Sequence, residues 1–539
     1  MKLDPRVKKI LRPFVNFYRI NFQEQSFIKR INAIVSKQES FPVDKKKKLI
    51  FNSQYATTFT WIEFLLANKM KKRGYDSEFL VCDGLPYCEQ ESVTFKRPSC
   101  ESCTKRIQDQ ISAFNYKPHK LSDFLTEEDR AEAKEIAMSK SLEALRSYKK
   151  FGVDLGEISF RNLAHYMKGS YPLEGVAGEH YRRIFESGYL ILLATNKYYT
   201  KIDDATVITT NGKFIQSGIS VDLGKEKNYD HVTWEVFNQF TSTVFARNSI
   251  ALEQRIDEAW EQEKDKELTE EQKGKLYQNF KQQSTSGNTP FKYQESSYEK
   301  SHDEIVRKYH LDKNKPIVVM FTNVEWDSTA MMDSGFDSML DWIQSMIDYC
   351  STNTDFQLIV RAHPGELKVP DDLKTRYPIC DRVLNTNKNL PQNVRLIGPL
   401  EQVNSYALGE LADVTMVYSS TIGIEFALRG IKAWVGSHTY YSRKGFSLDI
   451  ENREDMHQKL DEKLFKLRLS DSERLYAERF AYMVRYRYLF SVPFIANGRF
   501  SREAFEACLK GEAGQNEFEN ICDLIEGKRL HIDLGTAHW

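Results

Sequence analysis

Two stretches of this 539-residue sequence carry residue types suited to holding an anion. QLIVRAHPGE (357–366) puts Arg361, His363 and Glu366 in a turn after an apolar run, and VTMVYSSTIGIE (414–425) does the same with Ser419, Ser420, Thr421 and Gly423. Hydroxyls and a small residue at the start of a helix offer a phosphate free N–H groups and the positive end of the helix dipole. The glycine lets a ligand come close to the backbone. An imidazole can donate to, or protonate, a departing phosphate, and a guanidinium can neutralise its charge. Glu425 follows Thr421 by four residues, on one helix face, where it either meets a ribose hydroxyl or caps a neighbouring loop. Glu366 either orients His363 or is solvated. Asn323 and Asp327 follow another apolar run in TNVEWDS; they are placed to touch a donor or an acceptor, while Asp327 before Ser328 equally reads as a helix N-cap. The chemistry is that of a nucleotide-dependent enzyme.

Such chemistry also needs a general base for the incoming hydroxyl. Asp83, in Cys82-Asp83-Gly84 after an apolar run, and Glu157, in the GVDLGE loop, are the carboxylates available for it. A separate cluster is formed by Cys82, Cys88, Cys100 and Cys103. The C-x2-C pair and its looser partner pair read either as a tetrahedral structural zinc site or as free thiols. No D-x-D signature stands near the anion-binding turns, and no cofactor is expected for the chemistry at them.

The elements that must position these residues alternate strand with helix. KKLIFNSQ (47–54) is a strand, 56–75 a helix with basic residues at its end, and SEFLVCDG (77–84) a second strand, with the cysteines in a loop or knob after it. A long helix over 178–201, the strand ATVITTNG (205–212) and the strand DHVTWEV (230–236) complete an open α/β domain over 47–250 with a Cys-rich insertion at 82–103. Residues 251–312, rich in Glu, Lys and Gln, form a helical linker. The grammar restarts in 313–450, with strands at 315–323, 356–364, 394–399, 414–420 and 432–436 and helices between them, which predicts a doubly wound parallel sheet. A helical tail, rich in aromatics, runs over 451–539. Two Rossmann-like domains leave one natural place for a site, the cleft between them.

Formal net charge is zero, so nothing in the bulk charge favours nucleic acid. Residues 1–46 are a basic helical lead-in; 1–48 hold thirteen Lys and Arg against four Asp and Glu. Leu11, Phe14, Val15, Phe17, Tyr18 and Phe22 interleave with those charges. That segment reads either as a solvated helix or as one drawn to an anionic membrane surface. With no apolar run long enough to span a bilayer, such as YLILLA at 189–194, the expected location is cytoplasmic, with peripheral attachment to the inner membrane as the second reading.

The order NVEWDS (323–328), RAHPGE (361–366), GP (398–399), SSTIGIE (419–425) and GFSLDI (445–450) resembles the bacterial capsular polysaccharide biosynthesis family, which includes Kdo-type transferases of the GT-B fold. VDLGE (153–157) and NGK (211–213) resemble its N-terminal domain. The resemblance implies an acceptor domain first and a nucleotide-donor domain second. It also implies transfer from a nucleotide-sugar, with a CMP-linked acidic sugar such as Kdo favoured, onto a glycan or glycolipid at the inner membrane beside polysaccharide export machinery. The paired His-Pro and Ser-Ser/Thr elements are similar to those that hold the nucleotide phosphate in bacterial sialyltransferases. Three other readings stay open: a nucleotide-sugar epimerase, a CDP-alcohol polymerase on the same fold, and a non-catalytic scaffold of a capsule export complex.

Overall fold

The computed structural model describes residues 23–39, 41–52, 57, 59–93, 99–169, 173–237, 242–286, 298, 300–327, 330, 333–496 and 499–531. The apolar lead-in positions Leu11, Phe14, Val15, Phe17, Tyr18 and Phe22, and Ser328, lie outside them. Among the described residues there are two six-stranded sheets.

The first contains β1 (Asp44–Phe51), β2 (Tyr75–Val81), β3 (Pro118–Lys120), β4 (Thr206–Thr210), β5 (Asp230–Phe237) and β6 (Ser242–Arg247), in the order β3-β2-β1-β4-β5-β6. All pairings are parallel except β5 with β6. The second contains β7 (Ile317–Phe321), β8 (Gln357–Arg361), β9 (Val394–Ile397), β10 (Val414–Val417), β11 (Trp434–Val435) and β12 (Leu448–Asp449), in the order β9-β8-β7-β10-β11-β12, all parallel.

The central strand β7 shows why an unbroken apolar run was needed. Every residue of IVVMF is buried. Val318 and Met320 enter the core on one face, and Ile317, Val319 and Phe321 the core on the other, as the two-residue period of a strand dictates. Register then fixes the edge where chemistry can occur. Phe321 lies opposite Arg361 on one side and Val417 on the other, so Thr322–Asn323, Ala362–His363 and Tyr418–Ser420 leave the sheet side by side. In the first sheet Phe51 lies opposite Ile208, and Thr210 opposite Trp234, so Asn52, Asn211 and Glu235 emerge together.

The linker and tail are not separate pieces. Ile256, Trp260, Leu276 and Phe280 from the charged stretch belong to the core of the second domain. The tail is helical but crosses back. A π-helical turn over Met483–Arg487 ends at Tyr488, and Phe490 then pairs with Thr243 of β6. From there Phe494, Phe505, Phe518 and Ile525 fill the core of the first domain, beside Trp61 and the lead-in residues Phe27 and Ile31. Helix Gln25–Val35 buries Phe27, Ile31 and Val35 at intervals of four, so the described part of the lead-in is core rather than membrane anchor. Among the described residues no helix is long and apolar enough to cross a membrane.

Candidate functional site

In each sheet the strand order reverses direction at one gap, between β1 and β4 and between β7 and β10, the positions where open α/β sheets bind ligands. At the second gap Asn323 Nδ2 donates to Ser419 Oγ at 2.9 Å and its Oδ1 accepts from Val324 N–H, so the two strand ends are bolted together. Ser420 follows, with its carbonyl accepting from Tyr441 O–H at 2.6 Å, and Thr421 stands exposed at the start of helix Ile422–Leu428.

Next to them, His363 N–H donates to Thr322 Oγ1 at 2.9 Å, and its Nδ1 accepts from Gly365 N–H at 3.0 Å. Accepting at Nδ1 leaves the neutral ring's proton on Nε2. Burial, helped by the Arg361 charge, lowers the imidazole to about 4. The ring is therefore a neutral donor near pH 7 rather than a ready acid, which narrows the two roles expected for it.

Four residues expected at the site serve elsewhere. Arg361 is 1% exposed and donates to the carbonyls of Gly398 and Glu401, tying β8 to the Gly-Pro turn instead of meeting an anion. Glu425 accepts from Tyr406 O–H at 2.7 Å and lies 3.7 Å from Arg485, held inside the domain. Gly423 serves packing: a Cβ there would sit 2.3 Å from Tyr441 Oη, the group that holds Ser420. Glu366 does not orient His363. Its Oε1 accepts from Ile379 N–H at 3.1 Å, and burial pushes its carboxyl up to about 8.

Across the cleft, the Asn211-Gly212-Lys213 turn does the positioning. Asn211 adopts φ 60° and Gly212 φ 91°, where a Cβ on the glycine would meet Ile250 Cδ1 at 2.6 Å. The turn aims Asn211 Nδ2 at Glu235 Oε2 (2.9 Å) and brings Lys213 Nζ to 3.1 Å from Glu253. Glu235 Oε1 accepts from Val236 N–H at 2.9 Å; burial raises its pKa above the usual carboxylate range. Glu235 lines a cavity of about 240 Å³ with Asn52, Glu63, Glu89, His165, Asn211, Phe214 and Trp234. His165 also meets Trp326 of the second domain, ring centroids 5.7 Å apart, so the cavity abuts the cleft.

The carboxylates expected as the base lie apart from this cavity. Asp83 accepts from the Ser122 N–H at 3.1 Å and from the Ser122 hydroxyl. Glu157 is held by Arg146 and by Arg161 at 3.1 Å, about 12 Å along its helix from His165, since eight residues rise 1.5 Å each. Asp327 does face the cleft; its charge is felt at both Lys168 and Glu235.

The cysteines sit on different elements. Cys82 packs against the core on one face of the first sheet, while helix Cys100–Ser112 inserts Ile107 and Ile111 into the other. Ser99 caps that helix by accepting from Ser102 N–H, so Cys100 and Cys103 fall on its first turn. Among the described residues no three His, Cys, Asp or Glu side chains converge to hold a metal ion. Burial, with Cys88 and Cys100 adding to it, pushes the Cys82 thiol up to about 12.

The sequence from 234 to 488 matches a family described as capsule polysaccharide biosynthesis protein. That segment is similar to the capsule polysaccharide biosynthesis family. It runs from β5, one residue before Glu235, to the crossing at Tyr488, and so contains Glu235, Asn323, His363 and Ser419. Similar solved structures include two from Thermosulfurimonas dismutans. One is the KpsC beta Kdo 2,7 transferase (16% identity, 59% of this chain and 89% of that chain, TM-score 0.32). The other is the KpsC beta Kdo 2,4 transferase (14%, 58% and 88%, TM-score 0.30). A putative UDP-N-acetylglucosamine 2-epimerase from Listeria monocytogenes is also similar (10%, 91% and 100%, TM-score 0.22). No curated protein matches. Of the cleft residues that reading motifs missed, Glu235 and Trp326 lie inside the capsule-family segment, whereas His165 and Lys168 lie before it. NGK and TNVEWDS marked the neighbourhood of Glu235 and Trp326. Nothing in the pattern of helix Leu155–Met167 marked His165.

Proposed function

We propose that this protein is a glycosyltransferase, moving a sugar from a nucleotide-activated donor onto a bacterial surface or capsular glycan. One observation carries the reading: two strand-end crevices, each at its sheet's reversal point, meet across one cleft. One offers neutral donors, and the other a carboxylate of raised pKa.

In this reading the donor's phosphate lies at the β7/β10 gap, against His363 Nε2–H and the Ser420–Thr421 turn. The acceptor hydroxyl lies in the first-domain cavity, beside Glu235. Its oxygen bonds to the anomeric carbon, the bond from that carbon to the phosphate oxygen breaks with its electron pair on the phosphate, and the hydroxyl proton passes to Glu235. A carboxylate of raised pKa is a stronger base than an ordinary one. Neutral donors oriented in advance at the phosphate stabilise its growing charge by a few kcal/mol (about 2.7–4 for one such donor). The family resemblance favours a CMP-linked acidic sugar such as Kdo as the donor.

Calorimetry with CMP, CDP, UDP, GDP and dTDP tests the donor side, and transfer from the matching nucleotide-sugar tests the rest. One nucleotide is expected to bind selectively and to weaken at least tenfold in His363→Ala. Glu235→Gln should keep nucleotide binding and lose about 10²- to 10⁴-fold in turnover, the usual worth of a general base. Absence of binding by all five nucleotides would overturn the reading.

A further inference from the structure

One wall of the first-domain cavity is held in part from the second domain. His165 lines that cavity beside Phe214, their ring centroids 5.1 Å apart, and also meets Trp326. Lys168, whose ammonium rests on the Trp326 ring, lies with Nζ 3.3 Å from His165 Nε2. An ammonium has hydrogens to give and no lone pair to accept with, so Lys168 donates and Nε2 accepts. Burial keeps the imidazole neutral near pH 7, and its single proton is then on Nδ1. Nδ1 is itself buried and meets no hydrogen-bond partner among the described residues. A buried donor left unmade is costly, so the first domain's own hydrogen bonding does not select this proton position. The seating of Lys168 on Trp326 does.

Trp326 is in turn fixed to both elements of the β7/β10 crevice. On one side Asn323 reaches Ser419, and Asp327 N–H donates to the Val324 carbonyl at 3.0 Å, closing a turn that holds Trp326 just beyond Asn323. On the other, Trp326 Nε1–H donates to Thr375 Oγ1, Thr375 N–H to the Glu366 carbonyl at 2.7 Å, and Glu366 N–H to the His363 carbonyl at 3.0 Å. A continuous set of contacts therefore runs from the crevice, through Trp326 and Lys168, to a ring in the cavity wall. Contacts alone do not couple two sites; an element with two arrangements does. His165 is such an element, with its proton on Nδ1 while Lys168 is seated and free to move to Nε2 when Lys168 withdraws.

We propose that His165 is a positioning residue of the acceptor cavity, set from the donor crevice through Trp326 and Lys168, so that nucleotide binding in the second domain fixes a ring that meets the acceptor in the first. This rests on the transferase reading above and adds the residue that couples its two sites. Coupling is reciprocal, so losing the Lys168–Trp326 contact must also weaken the nucleotide.

The test uses full-length protein with histidine labelled at its ring nitrogens, His165 being assigned by the NMR signal missing in His165→Asn. Wild type near pH 7 should show His165 neutral with the proton on Nδ1, and Lys168→Met and Trp326→Ala should both move that signal toward the Nε2-protonated form. The nucleotide selected by calorimetry should shift the His165 signal in wild type and leave it unmoved in Trp326→Ala. Each of these two variants should weaken the nucleotide about fivefold or more, the lower end of usual coupling factors. The double variant should bind no more weakly than the weaker single one, because both changes remove one contact. An Nε2-protonated His165 in wild type, a His165 signal indifferent to bound nucleotide, or losses that multiply in the double variant would each overturn the proposal; multiplied losses would mean that Lys168 touches the nucleotide itself. Should a variant fail to fold, the wild-type proton position and its response to nucleotide decide alone. Binding by none of the five nucleotides overturns the transferase reading and the coupling with it, whereas a nucleotide that binds without moving His165 overturns the coupling only.

Discussion

Lys168 carries its Nζ to 4.0 Å from the centroid of the Trp326 ring, so a cation of the first domain rests on an aromatic face of the second. The contact is built from the backbone up. Lys168 closes helix Leu155–Met167 in a left-handed conformation (φ 54°), its carbonyl accepts from Arg376 N–H at 2.9 Å, and Trp326 Nε1–H donates to Thr375 Oγ1 at 3.0 Å. Desolvation lowers Lys168 to about 8, which still leaves it mainly charged at neutral pH.

A buried cation–π contact contributes roughly 0.5–2 kcal/mol, enough to shift an open–closed balance severalfold without unfolding either domain. Trp326→Ala is therefore expected to raise the radius of gyration seen by small-angle scattering and to lower turnover, with Trp326→Phe between it and wild type. Unchanged scattering in Trp326→Ala would mean that the domains are held together by other contacts.

Stability should fall off on both sides of neutrality. Burial lowers His363 and His231 to about 4 and His165 to about 3. Their unfolded value is about 6.5, so below it the unfolded chain binds more protons than the folded one. Stability from these groups is full above about 6.5 and is lost as pH falls toward 4, by up to about 4 kcal/mol per pH unit if all three act together.

Glu366 acts in the opposite sense. Burial raises it to about 8, so its contribution is full below about 4.5 and is lost as pH rises through 8, by up to about 1.4 kcal/mol per unit. Urea midpoints measured from pH 4 to 9 should show both limbs, and Glu366→Gln should flatten the alkaline one. The same His363 shift predicts a kcat/KM profile with no inflection near 6.5. An inflection there would mean that the imidazole titrates as an acid during turnover.

Gly423 and Tyr441 should behave as one unit. A methyl group at 423 would press on Tyr441 Oη at 2.3 Å and push it off the Ser420 carbonyl. Gly423→Ala is expected to destabilise the protein by about 1–3 kcal/mol, the usual cost of overpacking, and to weaken nucleotide binding. Adding Tyr441→Phe removes the clashing oxygen, so the double variant should recover part of the loss in chemical denaturation. Simple additivity of the two changes would show that they do not interact.

Much of the second domain was legible in the sequence because its strands are buried on both faces. A continuous run such as IVVMF or QLIV announces itself, and Asn404 and Ser338 mark helix starts by capping them. Of the strands that went unread, β3 at Pro118–Lys120 and β12 at Leu448–Asp449 are edge pieces of three and two residues, too short for a period to appear, and β6 at Ser242–Arg247 is an edge strand that returns antiparallel, outside the strand–helix alternation. The site was legible by segment but less so by side chain. RAHPGE and SSTIGIE do meet at one sheet edge, yet Arg361 and Glu425 point inward, because which face a strand-end or helical residue takes depends on packing. Glu235, Lys168 and Trp326 acquire meaning only when two domains meet. A single linear motif carries no sign of that contact.

The tail was read as helical and separate, and its return to the first domain makes a final prediction. Phe505 is fully buried, with ring centroids 5.3 Å from Trp61, 5.9 Å from Phe27 and 4.9 Å from Phe494. These aromatics come from the lead-in helix, from helix Thr60–Lys72 and from two places in the tail, so the first domain's core cannot close until residues 490–525 have been made. Removing the ring in Phe505→Ala should cost about 3–5 kcal/mol, within the range for aromatic truncations in a packed core. Because the loss falls in the first domain, its unfolding should separate from that of the second. Calorimetry should then show two transitions where the wild type shows one, with bound nucleotide raising only the upper one. A single transition shifted as a whole would mean instead that the crossing at Tyr488–Phe490 couples the two domains tightly enough to unfold together.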